Sequence, residues 1–245
     1  MRKIYLVPNF VTTVNLLCGF YSVIVAFRGD YVTASWLIIA AGVFDMLDGR
    51  IARLAKATSS FGVEYDSVSD VMSFGLAPAI LGYLAALQGF GREGVLIAFM
   101  FLACGALRIA RFNVSSELIS KAYFQGLPIP AAAGTLVTFL IYNDVTGWLS
   151  GRLFDLFVLG LMLSLSVLMV STIPFPSFKE LHWRSRATFG YLLGGVLIIL
   201  FIVLNPSGSL FLLAASYVIL SLLWSVYLLS RGMLPSQRIR KAAKK

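Results

Sequence analysis

Four aspartates lie within two otherwise apolar stretches of this sequence, and they constrain the fold more than any other feature. Asp45 and Asp48 come near the end of one stretch, and Asp66 and Asp70 near the start of the next. An aspartate at the centre of a membrane helix costs about 2.5 to 3.5 kcal/mol on insertion scales. The chain must compensate for these charges, which makes the two stretches the candidate functional centre.

The spacing of the aspartates predicts that they face one another across a helical hairpin. The members of each pair are three or four residues apart, so each pair shares one helix face. Residues 55–60 form a short connection, which favours antiparallel neighbours. If the helices end near Arg53 and Phe61, a rise of about 1.5 Å per residue places the pairs at matching depths, roughly 8 Å and 13 Å below that end.

Four carboxylates gathered within a membrane indicate a metal site. Like charges oppose one another's ionisation at low dielectric, and two divalent cations would balance all four. Oxygen ligands suit hard ions, and the choice between magnesium and manganese stays open. A pair of such ions can bind both the attacking and the leaving oxygen in phosphoryl transfer.

Small residues and one arginine around the aspartates fit a phosphate ligand. Gly49, Gly62 and Ala52 would let a bulky ligand or a partner helix approach the backbone closely. Arg53 lies one turn after Gly49, and its guanidinium can bind two phosphate oxygens.

The composition predicts an all-α integral membrane protein. Hydrophobic residues make up 59% of the 245 residues, charged residues 13%, and the mean hydropathy is +0.87, which excludes a soluble globular protein. We expect one domain over residues 1–245, a single bundle of about eight transmembrane helices after a short interfacial segment at residues 1–10. The predicted spans are about 11–27, 32–54, 61–87, 94–110, 130–142, 153–173, 189–204 and 210–229.

The basic residues predict the orientation of the bundle. With eight spans, all but three of the 20 Lys and Arg residues fall on the side of the two termini; the exceptions are Arg28, Arg92 and Arg152. Loops rich in Lys and Arg stay in the cytoplasm. The carboxylate site and the basic tail at 231–245 should therefore face the cytosol, in the cell membrane.

The hairpin resembles the signature of a known family. The pattern D-x-x-D-G-x-x-A-R, eight residues, then G-x-x-x-D-x-x-x-D resembles that of the CDP-alcohol phosphatidyltransferases, membrane enzymes that join an alcohol to the phosphatidyl group of a CDP-linked lipid. Every fixed position is present: Asp45, Asp48, Gly49, Ala52, Arg53, Gly62, Asp66 and Asp70. The resemblance implies a catalytic core over about 6–134 and a homodimer.

The resemblance also implies roles for individual residues. Asp70 would be the general base, and all four aspartates would hold metal. Gly49 and Arg53 would bind the diphosphate and nucleotide of the CDP-lipid. The remaining candidates for this binding site are Ala52, Gly62, Thr58, Pro8, Asn9, Thr12 and Asn15.

The identity of the acceptor alcohol must be inferred from residues outside the hairpin. Arg108 and Arg111 share a helix face and could bind an anionic group of the acceptor, or anchor the helix at the membrane interface. Asn113 and Gln125 follow in the same cytosolic region. The segment G-L-P-I-P-A-A-A-G and the N-terminal L-V-P-N-F-V-T-T-V-N resemble the serine-using branch of the family.

Three functions remain open at this point. The resemblance implies metal-dependent transfer of the phosphatidyl group from CDP-diacylglycerol to L-serine, with release of CMP, in phospholipid biosynthesis. Relatives that use glycerol 3-phosphate or inositol phosphate share the signature, although a phosphate dianion calls for a denser basic pocket. A cation transporter could also use four carboxylates, but it leaves Gly49, Ala52 and Arg53 without a role.

Overall fold

The computed structural model describes residues 6–54, 59–115, 123–176, 194–195, 200–201 and 203–230. Its main helices are α1 (Leu6–Phe27), α2 (Tyr31–Leu54), α3 (Ser60–Asp70), α4 (Ala77–Gly82), α5 (Arg92–Ser115), α6 (Ile129–Thr146), α7 (Gly151–Val170) and α8 (Pro206–Ser230). A π-helical turn, Val71–Leu76, joins α3 to α4, and Tyr83–Leu87 and Gln88–Phe90 continue α4. Two short antiparallel strands, β1 (Tyr123–Gln125) and β2 (Pro174–Pro176), complete the described elements.

The expectation of a multi-pass helical membrane protein is confirmed, but the count of eight spans is not. Within the described residues, six helical segments are long and apolar enough to cross a membrane. The predicted span at 130–142 appears as α6, which is not among the six, and the span predicted at 189–204 lies mostly outside the described residues. Residues 6–10 belong to α1, residues 1–5 lie outside the description, and the interfacial segment stays a prediction.

Most of α6 is buried within the helical bundle. It contacts α2, α7 and α8, and most of its side chains between Ala132 and Ile141 are buried. A helix enclosed by other helices presents little surface to lipid, so Thr135 and Thr138 are tolerated when their hydroxyls donate to carbonyls of their own helix.

The helical hairpin forms close to where the sequence places it. α2 ends at Leu54, and α3 begins at Ser60. Ser59 caps α3, because its hydroxyl accepts a hydrogen bond of 3.0 Å from the Gly62 N–H. The cap fixes where α3 starts and therefore sets the depth of the carboxylates on it.

α1 lies against the second half of this hairpin. A Cβ at Gly19 would lie 2.7 Å from the Cα of Ser73, so only glycine permits the approach. The Ser73 hydroxyl donates to the Asn15 carbonyl at 3.1 Å, and that of Ser69 to the Thr12 carbonyl at 3.3 Å. These contacts set the position of α1 beside α3.

An arginine joins α5 to the end of α7. The Arg111 guanidinium donates to the carbonyls of Met169, Val170 and Ser171 at 3.3, 2.9 and 3.1 Å. The last carbonyls of a helix have no partner within it, so Arg111 caps α7. β2 follows directly, and the Gly126 N–H after β1 donates to the Ile173 carbonyl at 2.9 Å.

α8 packs against α6 and passes beside β2. The Phe211 ring centroid lies 5.5 Å from that of Phe139 and 5.2 Å from that of Tyr142, both on α6. This aromatic contact fixes the rotation of α8 about its own axis.

Candidate active site

The hairpin brings the four aspartates together. Carboxylate oxygens of Asp45, Asp48 and Asp66 lie within 4.8 Å of one another, which is close enough to share a metal ion. Asp70 lies one helical turn beyond Asp66, and its carboxyl group contacts that of Asp45. The two predicted pairs of aspartates therefore meet across the hairpin.

The aspartates fit a divalent cation. Asp48, Asp66 and Asp70 each have a buried side-chain oxygen without a hydrogen-bond partner among the described residues, and Asp48 is only 4% exposed. A buried carboxylate oxygen without a partner is costly, whereas a bound cation satisfies it. All-oxygen ligation of this kind suits a hard ion such as magnesium or manganese.

A cleft opens directly beside the aspartates. Its lining combines most of the residues that the sequence assigns to the nucleotide with two that it does not, Ser59 and Val63. The lining residues are Pro8, Asn9, Thr12, Asp48, Gly49, Ala52, Arg53, Ser59, Gly62, Val63 and Asp66. α1, α2 and α3 therefore each contribute a wall.

Open space above Gly49 matches a ligand better than a partner helix. A Cβ at Gly49 would meet no described atom within 4 Å. Arg53, one turn later, is exposed, and its Nε donates to the Gly49 carbonyl at 2.8 Å. This bond holds the guanidinium at the mouth of the cleft, where it can bind an anion.

Two of the residues predicted to contact the nucleotide are not placed in the cleft. Thr58 lies outside the described residues. Asn15 is fully buried next to α3, and neither atom of its side-chain amide has a hydrogen-bond partner among the described residues. Its role in binding stays a prediction.

The candidates for the acceptor pocket have different surroundings. Arg108 is half-buried and interacts electrostatically with Asp70, and its guanidinium lies 5.6 Å from the centre of the Phe112 ring. The Asn113 amide donates to the Ser67 hydroxyl at 2.9 Å, next to Asp66 in the chain. Both residues thus link α5 to the aspartate hairpin.

Arg111 and Gln125 are less directly related to the aspartates. Arg111 caps α7, so its guanidinium has a structural task in addition to any contact with an acceptor. Gln125 pairs with Pro174 through β1 and β2, and its side chain lies outside the description. Their assignment to the acceptor pocket stays a prediction.

Sequence reasoning missed Tyr217 as a neighbour of this region. The Tyr217 phenol on α8 interacts electrostatically with Arg108. Tyr217, Ser221 and Ser225 recur every four residues in an apolar helix, a pattern that places three hydroxyls on one face. That periodicity is the signal that could have revealed them.

The fold and the site together define a polytopic membrane protein with a buried carboxylate site open to a cleft. The family model of the CDP-alcohol phosphatidyltransferases matches residues 5–178. This chain belongs to that family, as its hairpin motif indicates.

Curated relatives agree with this membership. The chain is 40% identical to a CDP-diacylglycerol–serine O-phosphatidyltransferase of Helicobacter pylori, over 76% of this chain and 78% of the relative. It is 37% identical to an archaetidylserine synthase of Methanothermobacter thermautotrophicus, over 69% of both chains. It is also 34% identical to a CDP-diacylglycerol–serine O-phosphatidyltransferase of Bacillus subtilis, over 71% of this chain and 92% of that protein.

Proposed function

We propose that this protein transfers the phosphatidyl group of CDP-diacylglycerol to the hydroxyl of L-serine, giving phosphatidylserine and CMP. The observation that carries this proposal is the four-aspartate hairpin beside an open cleft, in a chain whose relatives bear the names of serine transferases. The serine oxygen forms a bond to the lipid-side phosphorus, and the bond from that phosphorus to CMP breaks. The reaction belongs to phospholipid biosynthesis.

The aspartates would hold two divalent cations, magnesium or manganese, through Asp45, Asp48, Asp66 and Asp70. When bound, these ions would neutralise the diphosphate and the charge that develops on it. Gly49 leaves room for the diphosphate, and Arg53 binds its oxygens at the mouth of the cleft.

The nucleotide would occupy the rest of the cleft. Ala52 and Gly62 present little side chain to it. Pro8, Asn9 and Thr12 supply the wall from α1 and its hydrogen-bonding groups.

Asp70 would take the proton from the serine hydroxyl as it attacks. A carboxylate can serve as a general base if it lies within hydrogen-bond reach of that hydroxyl. Arg108 interacts with Asp70, so an amino-acid carboxylate bound to Arg108 would place its hydroxyl close to this base. Asn113 keeps this part of α5 next to the hairpin through Ser67.

We also propose that the site faces the cytosol and that the protein forms a homodimer. The distribution of Lys and Arg supports the first statement, and the resemblance to the family supports the second. A cytosolic site gives direct access to free serine and releases CMP where it can be reused.

The proposed reaction is tested by CMP release from CDP-diacylglycerol with the purified full-length protein. L-serine, glycerol 3-phosphate and inositol 1-phosphate are compared with magnesium or manganese present. We expect release that depends on serine and stops when a chelator removes the metal. Release with a phosphorylated acceptor alone would replace serine by a phosphorylated polyol, and no release with any of the three would favour a cation transporter.

Asn15→Val should separate stability from ligand binding. The substitution removes one buried amide group, neither polar atom of which has a hydrogen-bond partner among the described residues. The burial of such a group costs about 1 to 3 kcal/mol, so the ligand-free protein should unfold at an equal or higher temperature. If Asn15 contacts the bound ligands, magnesium and CDP should raise the unfolding temperature of the variant less than that of the wild type. Thermal unfolding in detergent, with and without the two ligands, measures both effects.

A matched control for Asn15 lies in α6. Thr135→Val changes a buried hydroxyl that donates to the Ala131 carbonyl at 2.8 Å, away from the cleft. It should leave the ligand-induced shift intact. If the ligands raise the unfolding temperature of Asn15→Val as much as that of the wild type, Asn15 is not part of the binding site.

A further inference from the structure

The wall that α1 contributes to the cleft is built from the first two turns of that helix. α1 begins at Leu6, and its lining residues are Pro8, Asn9 and Thr12. The end of a helix opens at a lower free energy than its middle, because its first N–H groups have no partner within the helix. A wall made from a helix end therefore depends on contacts with a neighbouring element, and here that neighbour is α3.

α1 meets the start of α3 through Asn9 and Gly62. The Asn9 Oδ1 lies 3.4 Å from the position that a Cβ would take at Gly62, and both residues line the cleft. Glycine offers no side chain that could bind the Asn9 amide, so this contact alone does not fix the distance between the two helices.

A hydrogen bond between Thr13 and Tyr65 follows one turn further along both helices. The two hydroxyl oxygens are 2.9 Å apart. The Thr13 hydroxyl donates its single hydrogen to the Asn9 carbonyl at 2.8 Å, so the Tyr65 hydroxyl is the donor to Thr13. The Tyr65 ring stacks on that of Phe61 with centroids 5.9 Å apart, which orients the phenol toward α1. A chain of hydrogen bonds thus leads from α3 to Asn9.

Two serines also bind α1, but at later positions of that helix. Ser69 donates to the Thr12 carbonyl at 3.3 Å, and Ser73 donates to the Asn15 carbonyl at 3.1 Å. Of these three bonds, the one from Tyr65 leads back to Asn9, at the start of the wall. Tyr65 also directly precedes Asp66 in the chain, so it joins the wall to the helix that carries the carboxylates.

We propose that Tyr65 is a positioning residue for the nucleotide part of the CDP-lipid, because its hydroxyl holds the first turns of α1 against α3 through Thr13. Asn9 and Thr12 then stay at the ligand. Tyr65 is not among the residues that line the cleft, so it acts through α1 and not by touching the nucleotide. The inference deepens the proposed function and rests on it, since it assumes that the cleft binds the CDP group.

The test is Tyr65→Phe in the full-length protein, which removes the hydroxyl and keeps the ring beside Phe61. We expect the dissociation constant of CDP, measured with magnesium present, and the KM for CDP-diacylglycerol to rise about threefold, as for one hydrogen bond between membrane helices. The kcat and the KM for L-serine should stay within about 1.5-fold, because the acceptor side is unchanged. Equal CDP affinity in variant and wild type would overturn the proposal.

Two further variants distinguish positioning from packing. Thr13→Val removes the other hydroxyl and should weaken CDP binding equally, and the double variant should bind no more weakly than either single one. Tyr31→Phe is the matched control, because it removes a 3.0 Å hydrogen bond to the Leu84 carbonyl at the far end of α2, and it should leave CDP affinity unchanged. Additive effects of the first two substitutions, or equal losses in Tyr31→Phe, would contradict the proposal.

The wild-type protein separates this proposal from the proposed function. CDP binding by wild type combined with unaltered binding by Tyr65→Phe rejects the role of Tyr65 alone. A wild type that neither binds CDP with magnesium nor releases CMP from CDP-diacylglycerol rejects the transferase reaction, and the inference with it. The CDP measurement needs no acceptor, so it decides on Tyr65 even if the acceptor is not serine.

Discussion

Asp70→Asn should lower CMP release by at least about 100-fold, because an amide cannot take the proton from the attacking hydroxyl. The replacement keeps the size of the side chain and its place one turn beyond Asp66, so the hairpin should still form. Removal of one negative charge from a buried cluster of four also relieves repulsion, and we expect the unfolding temperature of the ligand-free protein to be maintained or raised. Initial rates at saturating serine and CDP-diacylglycerol, with thermal unfolding of the same sample, provide the measurement.

The matched control for this substitution is Asp144→Asn at the exposed end of α6, which should retain full activity. Retention of more than about one tenth of the wild-type kcat by Asp70→Asn would exclude Asp70 as the base. The proton would then have to be accepted by another group of the cluster.

Among substitutions that add one methyl group near β1, Gly126→Ala should lower the stability of the protein most. Gly126 has a φ of +78°, and a Cβ there would collide with the Met169 carbonyl oxygen and lie 2.8 Å from an Arg111 Nη. The left-handed conformation alone costs about 1 to 2 kcal/mol for alanine, and overpacking adds about 1 to 3 kcal/mol. We expect a markedly lower unfolding temperature and a lower yield of folded protein in detergent.

Gly147→Ala isolates the steric part of this effect. Gly147 ends α6 with a φ of +60°, but a Cβ there meets no described atom within 4 Å. Both variants carry the conformational cost, and only Gly126→Ala displaces Arg111 from the end of α7. Similar unfolding temperatures for the two variants would show that the Arg111 cap contributes little to stability.

The sequence predicts the hairpin well because its information there is local. The spacing of the aspartates and the connection at 55–60 are enough to align Asp48 with Asp66, and the Ser59 cap follows from a common helix-start pattern. The close approach of α1 at Gly19 has no such local signal, since it depends on which neighbour the glycine meets.

The acceptor side depends on contacts between distant parts of the chain, so it could be predicted only in outline. The spacing of Arg108 and Arg111 gives both the same helix face, yet one interacts with Asp70 and the other caps α7. Their roles differ because the end of α7, some sixty residues after Arg111 in the chain, lies within reach of the Arg111 guanidinium. The count of eight spans is not confirmed, because α6 is not among the six candidate spans and residues 189–204 lie mostly outside the described part of the chain.

The burial of α6 has a consequence for how the protein is made. A helix of 18 residues is about 27 Å long, which is close to the thickness of the hydrocarbon layer, but α6 carries Asn143 and Asp144 in its last turns and is not among the six described helical segments that are long and apolar enough to cross a membrane. Its partition into lipid on its own is therefore weak, and its stable residence depends on enclosure by α2, α7 and α8. During synthesis α2 emerges before α6, and α7 and α8 emerge afterwards, so a ribosome that stalls before α8 would leave the face of α6 that packs on α8 uncovered and exposed to membrane quality control.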